Sequence, residues 1–279
     1  MDKALNCAGK LLDLTQPQIM GILNVTPDSF SDGGLFMSKE KAFVQAEKLF
    51  SEGAAIVDIG GESTRPGATP VSQQEELDRV IPLIEMVHKE FPVVISVDTS
   101  KPEVMREAVK AGAGMVNDVY ALRTQGAVEM VADLDVPVCL MHMKGEPRSM
   151  QENPQYKNVI SDVKDFLQQR IMECNKAGIA RNNIIIDPGF GFGKTIPHNL
   201  ELVKNLPEFA SLDLPLMVGF SRKSTIGAIL DKPASDRIMG SVSLAVIACW
   251  LGANIFRVHD VKETADALKL CYAVKHVMQ

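Results

Sequence analysis

Seven short segments of the chain begin apolar and turn abruptly to residues able to do chemistry. They are GILNVTPDSFSDGG from Gly21, DIGGESTRPGA from Asp58, SVDTSKPE from Ser96, MVNDV from Met115, IIDPGFGFGK from Ile185, VGFSRKS from Val218 and FRVHDV from Phe256. Thr64 and Arg65 stand beside Gly60, Gly61 and Gly67, where backbone amides and a guanidinium could cradle an oxyanion. Arg257 and His259 alternate along a strand and so point to one side. One Arg at a strand end ordinarily makes a surface ion pair; two, with a His and a Lys at neighbouring strand ends, favour an anion site. Asn24 ends the first apolar run and is followed by Thr26, Pro27 and Asp28. Its neutral oxygen suits Mg2+ held mostly by phosphates and water, although Asn before a turn is also common.

A second group is acidic and amidic. Asp98, Asn117 and Asp187 each end an apolar run and are expected to face a common mouth. Carboxylates set that deep need a partner, and a planar heterocycle with adjacent N–H donors supplies one by paired hydrogen bonds. Ser221, Arg222 and Lys223 precede a helical segment, whose N-terminus attracts carboxylate or phosphate. Phe192, among Gly189, Gly191 and Gly193, could form a close-approach wall for a flat aromatic, while Phe30 reads equally well as a core residue. There is no paired-His spacing for a transition metal. The Ser of GFSRKS is not in G-x-S-x-G, and the glycine series lacks the dinucleotide fingerprint.

Something must position these groups, and the pattern suggests a repeated unit. Apolar runs at 19–25, 55–59, 92–97, 115–119, 136–141, 183–187, 215–219 and 254–258 alternate with helical periodicity. Runs apolar on both faces suit a parallel sheet covered by helices. The first helix is expected from about Ser38 to a stop at Gly53; Ser72 with Glu75 and Ser100 with Glu103 are spaced as capping boxes. Pro102 suits a first turn, Gly112 a C-terminal stop, and Pro82 interrupts the second helix. The pairs Gly53-Ala54, Gly112-Ala113 and Gly252-Ala253 echo one another, and five residues after each Gly stands Asp58, Asn117 or Arg257. The whole chain, residues 1–279, is therefore expected to form one (β/α)8 TIM barrel, with an open doubly wound sheet as the alternative. The long connections Thr26–Lys39 and Glu62–Gln73, after the first and second strands, are expected to be mobile lids.

At 279 residues the chain has the length of such a barrel, and 46% hydrophobic with 23% charged residues is ordinary for a globular protein. A net charge of −6 gives no reason to bind nucleic acid or an anionic membrane. The five cysteines are scattered without a C-x-x-C pair, and Cys139 and Cys249 sit in apolar runs as buried thiols would. A reducing cytoplasm fits. No apolar signal region follows Asp2 and Lys3, and Val242–Leu251 is too short to span a bilayer, reading instead as a buried helix.

All seven segments, in order from about Met20 to Val261, resemble the dihydropteroate synthase family of pterin-binding barrels, the targets of sulfonamide drugs. The resemblance implies condensation of 6-hydroxymethyl-7,8-dihydropterin diphosphate with p-aminobenzoate, giving 7,8-dihydropteroate and pyrophosphate, with Mg2+ as cofactor. It implies a pterin pocket of Asp98, Asn117, Met141, Asp187 and Lys223. Asp187 would hold the amino-pyrimidine edge and Asp98 would lie near the developing ring charge. Asn24 would serve the metal, with Thr64, Arg65 and the run Arg257, Val258, His259 on the diphosphate side; Pro66, Phe192, Ser221 and Lys223 would meet p-aminobenzoate. Asp98, Lys223 and Arg257 are the implied catalytic residues. The nearest rival is a pterin-barrel methyltransferase acting on a methylfolate and a corrinoid protein, which needs no diphosphate clamp. A catalytically silent pterin-binding subunit is the non-enzymatic one. The family is usually dimeric, and the apolar Ser241–Leu251 helix fits a homodimer or a monomer's core.

Overall fold

The computed structural model describes residues 4–26, 35–63, 69–147 and 149–277, with backbone alone for 35–38. An antiparallel hairpin, β1 (Ala4–Cys7) and β2 (Lys10–Asp13), precedes an eight-stranded parallel sheet. Its strands are β3 (Gln18–Asn24), β4 (Ile56–Gly60), β5 (Val94–Asp98), β6 (Met115–Asp118), β7 (Val138–Met141), β8 (Ile184–Asp187), β9 (Met217–Val218) and β10 (Ile255–Val258). The helices between them are α1 (Leu35–Ser51), α2 (Gln73–Glu90), α3 (Pro102–Lys110), α4 (Ala127–Leu134), α5 (Val159–Lys176) and α6 (Ile196–Lys204). Two helices, α7 (Ser224–Leu230) and α8 (Ile238–Trp250), separate β9 from β10, and α9 (Val261–Lys275) follows. The strand order runs β8-β7-β6-β5-β4-β3-β10-β9, and a parallel bridge between Ile186 and Leu216 joins the two ends into a barrel.

Side-chain alternation sorts the strands into an outer and an inner set. Ile95 and Val97 of β5, Val57 and Ile59 of β4 and Leu140 of β7 join helix residues such as Leu49, Leu83 and Leu167 in the larger core. The alternate residues Met20, Ile56, Val94, Met115, Cys139, Ile185, Met217 and Ile255 form a separate cluster inside the barrel. Two residues further along each strand, the same parity gives Ile22, Asp58, Ser96, Asn117, Met141, Asp187, Gly219 and Arg257. The barrel is thus apolar at its N-terminal end and polar towards its C-terminal mouth.

The hairpin lies outside the strand–helix repeat that the sequence predicts. It supplies Leu5, Cys7 and Leu12, joined by Leu14 just after it, to the inner apolar cluster and so stoppers the barrel's N-terminal end. Its turn, Ala8 (φ 51°) and Gly9 (φ 89°), has positive φ at both centres, as a two-residue hairpin turn requires. Lys10 Nζ donates to the Val93 carbonyl at 2.7 Å, tying the hairpin to the entry of β5.

The repeated Gly-Ala turns have one physical basis. Gly53, Gly112 and Gly252 have φ of 103°, 115° and 104°, and each following Ala amide returns to the carbonyl five residues back. That is the Schellman close, which admits few residues other than Gly. The Ser72–Glu75 capping box forms as expected. The Ser100–Glu103 box does not: Pro102 starts α3, Lys101 becomes its N-cap, and Glu103 pairs with Arg106. α1 begins at Leu35, ahead of the expected Ser38. α2 runs through Pro82, whose cost of about 3 kcal/mol is offset by burial of Val80, Leu83, Ile84 and Val87, each contributing about 1.5–3 kcal/mol. Most of the two expected lid loops, residues 27–34 and 64–68, lies outside the described residues.

Candidate active site

The polar tier is organised around Arg257 of β10. Its Nε donates to Asp58 Oδ2 of β4 and its Nη2 to Asp98 Oδ2 of β5, each at 2.6 Å. Asn117 of β6, paired with Asp98 across the sheet, donates from Nδ2 to the same Asp58 oxygen at 3.1 Å. Asp58 is wholly buried and Arg257 partly reaches the mouth. Burial pushes the Asp98 carboxyl up to about 7; the Arg257 guanidinium opposes that rise and the Asp58 charge adds to it. Arg257 is pushed up by these same carboxylates, against the effect of burial. The ordinary expectation for an Arg at a strand end is therefore half right: it is ion-paired, but inside the barrel.

Across the mouth, Asp187 ends β8 and accepts from the Gly189 amide at 2.7 Å. Burial raises its pKa, while the charge of Lys223 counters. Lys223 caps the N-terminus of α7 and donates from Nζ to the Phe190 carbonyl, with Nζ 4.6 Å from the centre of the Phe192 ring. Burial lowers the Lys223 ammonium to about 8, Asp187 resisting and Arg257 assisting. Ser221 Oγ and His259 Nδ1 lie 2.9 Å apart, linking the β9 and β10 loops. Arg222 between them has φ of 58°, held by its ion pair with Asp260 and by its amide donating to Ser241 Oγ.

These groups open on one cavity of about 600 Å3, within the usual range for a small-molecule site. Asn24, Asp98, Asn117, Met141, Asp187, Phe192, Ser221, Lys223, Arg257 and His259 all line it. Val258 does not: it has the opposite strand parity and packs in the helix-side core. Thr64, Arg65 and Pro66 lie outside the described residues. The residue missed as a site candidate is Asp58. Its signal was its place in the Gly-Ala echo, the same offset that yields Asn117 and Arg257. No three His, Cys, Asp or Glu side chains gather into a metal cage among the described residues. The cavity offers the Asn24 amide oxygen instead, a donor set that fits Mg2+ held chiefly by substrate phosphates and water.

Known proteins resemble this chain over nearly its whole length. Residues 20–259 match the family model described as pterin binding enzyme. A dihydropteroate synthase of Haemophilus influenzae is 56% identical over 264 residues, covering 95% of this chain and 96% of that protein. The Yersinia pestis dihydropteroate synthase, solved with a sulfonamide drug, superposes with a TM-score of 0.94 at 50% identity, covering 98% of this chain and all of that one. The Xanthomonas albilineans enzyme, solved with 4-aminobenzoic acid, gives a TM-score of 0.95 at 49% identity, with both chains fully covered. A barrel whose mouth gathers carboxylates and cations in this order, matched over nearly its whole length by such relatives, belongs to the dihydropteroate synthase family of pterin-binding enzymes.

Proposed function

We propose that the condensation of 6-hydroxymethyl-7,8-dihydropterin diphosphate with p-aminobenzoate, the reaction of this family, proceeds here as an SN1-like displacement in the barrel-mouth cavity. The observation that carries this reading is the convergence of Asp98 and Asp187 with Arg257 and Lys223 around one cavity, with buried Asp58 holding Arg257 from behind. Asp187 and Asn117 hold the pterin's hydrogen-bonding edge, Met141 lies against its face, and Lys223 spans the pterin and p-aminobenzoate sides. The bond between the pterin methylene and the diphosphate oxygen breaks first, and its electron pair leaves with pyrophosphate. The electron-rich dihydropterin carries the resulting positive charge beside Asp98, whose carboxylate stabilises it at close range in a low-dielectric site. The aryl amine is neutral near pH 7, so its lone pair forms the new C–N bond without a general base, and its extra proton is then lost to water. Asn24, Thr64, Arg65, Arg257 and His259 take the diphosphate side, and Ser221, Phe192 and Pro66 the p-aminobenzoate side. Mg2+, held by Asn24 and the substrate, would neutralise charge on the leaving pyrophosphate.

The rival methyltransferase has no use for this density of cations around the pterin pocket. In the same proposal the hairpin and barrel act as one pterin-binding domain, acting on small molecules and neither nucleic acid nor membrane. α8 and α9 expose Met239, Ile247, Trp250, Leu270 and Val274, a surface suited to a homodimer. The five buried cysteines form no disulfide, which fits cytoplasmic residence. No helix among the described residues is long and apolar enough to cross a membrane. The test is pyrophosphate release from the pterin diphosphate with Mg2+, with and without p-aminobenzoate. Wild type should release pyrophosphate and form dihydropteroate, and Lys223→Ala should lose most of that activity. Pterin binding without any release would turn the assignment towards the methyltransferase or the silent subunit.

A further inference from the structure

Lys194 does not line the cavity, yet its amine is carried into the fold's interior. The residue is 3% exposed, and burial holds its ammonium well below the usual lysine range, with the Asp187 charge opposing that fall. A position that needed only volume would be filled at lower cost by Leu or Met. The Lys194 amine instead reaches His142 Nδ1 at 2.9 Å, the Gly189 carbonyl at 2.8 Å and the Phe192 carbonyl at 3.0 Å. His142 belongs to the loop after β7, and Gly189 and Phe192 to the loop after β8, so one side chain ties the two loops together. The loops touch at this point: a Cβ on Gly189, whose φ is 71°, would lie 1.8 Å from the His142 carbonyl oxygen. Burial, aided by the Lys194 charge, pushes His142 down to about 2, so its ring is neutral beside Lys194.

Two short connections lead from this tie to the cavity. The Gly189 amide donates to Asp187 Oδ1, and the Phe190 carbonyl accepts from Lys223 Nζ, which lies against the Phe192 ring. We propose that Lys194 is a positioning residue for the condensation, tying the β7 and β8 loops through His142, Gly189 and Phe192 so that Asp187 and Lys223 meet the pterin in register. The inference rests on the pterin reading of the cavity. Lys194 itself touches no reacting atom in this scheme; it acts through the loop that Lys223 leans on.

The experiment is calorimetric titration of the full chain with the pterin diphosphate and Mg2+, without p-aminobenzoate, in a double-mutant cycle. The proteins are wild type, Lys194→Met, Lys223→Met and the double variant. Lys194→Met alone should weaken pterin binding roughly tenfold or more. In the Lys223→Met background the further loss should be clearly smaller than in wild type, because the route through Lys223 is already lost and only that through the Gly189 amide and Asp187 remains. A merely structural lysine would give additive losses, and additivity overturns the inference, as does unchanged binding by Lys194→Met. A wild-type chain that binds no pterin overturns the cavity reading and this inference with it. If circular dichroism finds Lys194→Met unfolded, Lys194→Gln, which retains a donor for one carbonyl, is carried through the same cycle to the same outcomes.

Discussion

Asp58→Asn is the sharpest perturbation of the charge arrangement, because the substitution removes the charge while keeping the shape and one acceptor oxygen. Asp58 Oδ2 accepts from both Arg257 and Asn117 inside the barrel. A hydrogen bond to a charged group contributes about 1.5–3 kcal/mol and a neutral one about half of that. With two donors affected, we expect a loss near 2 kcal/mol expressed in the transition state, or about 30-fold in kcat/KM. The pH profile gives a second, independent readout. Asp98 is pushed up to about 7, partly by the Asp58 charge, and Lys223 is pushed down to about 8. Activity needs the Asp98 carboxylate, so wild-type kcat/KM should rise as pH passes about 7. It should fall above about 8, as Lys223 loses its ammonium proton. Removing the Asp58 charge lets the Asp98 pKa drop, so the acid limb should move to lower pH while the basic limb stays. The assay is pyrophosphate release at subsaturating pterin diphosphate across pH. An acid limb that stays put or moves up, or a kcat/KM within twofold of wild type, would refute this electrostatic account.

Asp98→Asn should lower turnover more than it weakens pterin binding, measured by rapid-mixing turnover beside calorimetry. Equal free-energy losses would remove Asp98 from the cation-stabilising role. Leu12→Ala, in the hairpin that stoppers the barrel, should cost about 2–5 kcal/mol of stability in urea unfolding. A cost under about 1 kcal/mol would mean the barrel closes without its plug. If α8 and α9 form a homodimer face, Trp250→Glu should shift the chain to a monomer in sedimentation equilibrium. A wild-type chain already monomeric at micromolar concentration would reject that interface.

The sequence by itself determined the strand–helix alternation, because a strand covered on both faces must be apolar throughout and its polar end then stands out. It determined most of the site for the same reason: in Ser96-Val97-Asp98 or Phe256-Arg257-Val258-His259, a polar residue in an apolar run has only the barrel mouth to face. The Gly-Ala turns were legible because the Schellman close leaves few residues but Gly. Tertiary structure decided the rest. The hairpin was invisible because its strands are short and its Ala8-Gly9 turn carries no strong turn signal. Val258 looked like part of the site by proximity in sequence, and the period of two along β10 turned it to the helices. Asp58, Arg257 and Asp98 are far apart in the chain, and no local pattern states that one guanidinium serves both carboxylates. That pairing arises only when the barrel closes and β10 comes to lie beside β3 and β9, bringing a partly buried cation within reach of two buried carboxylates.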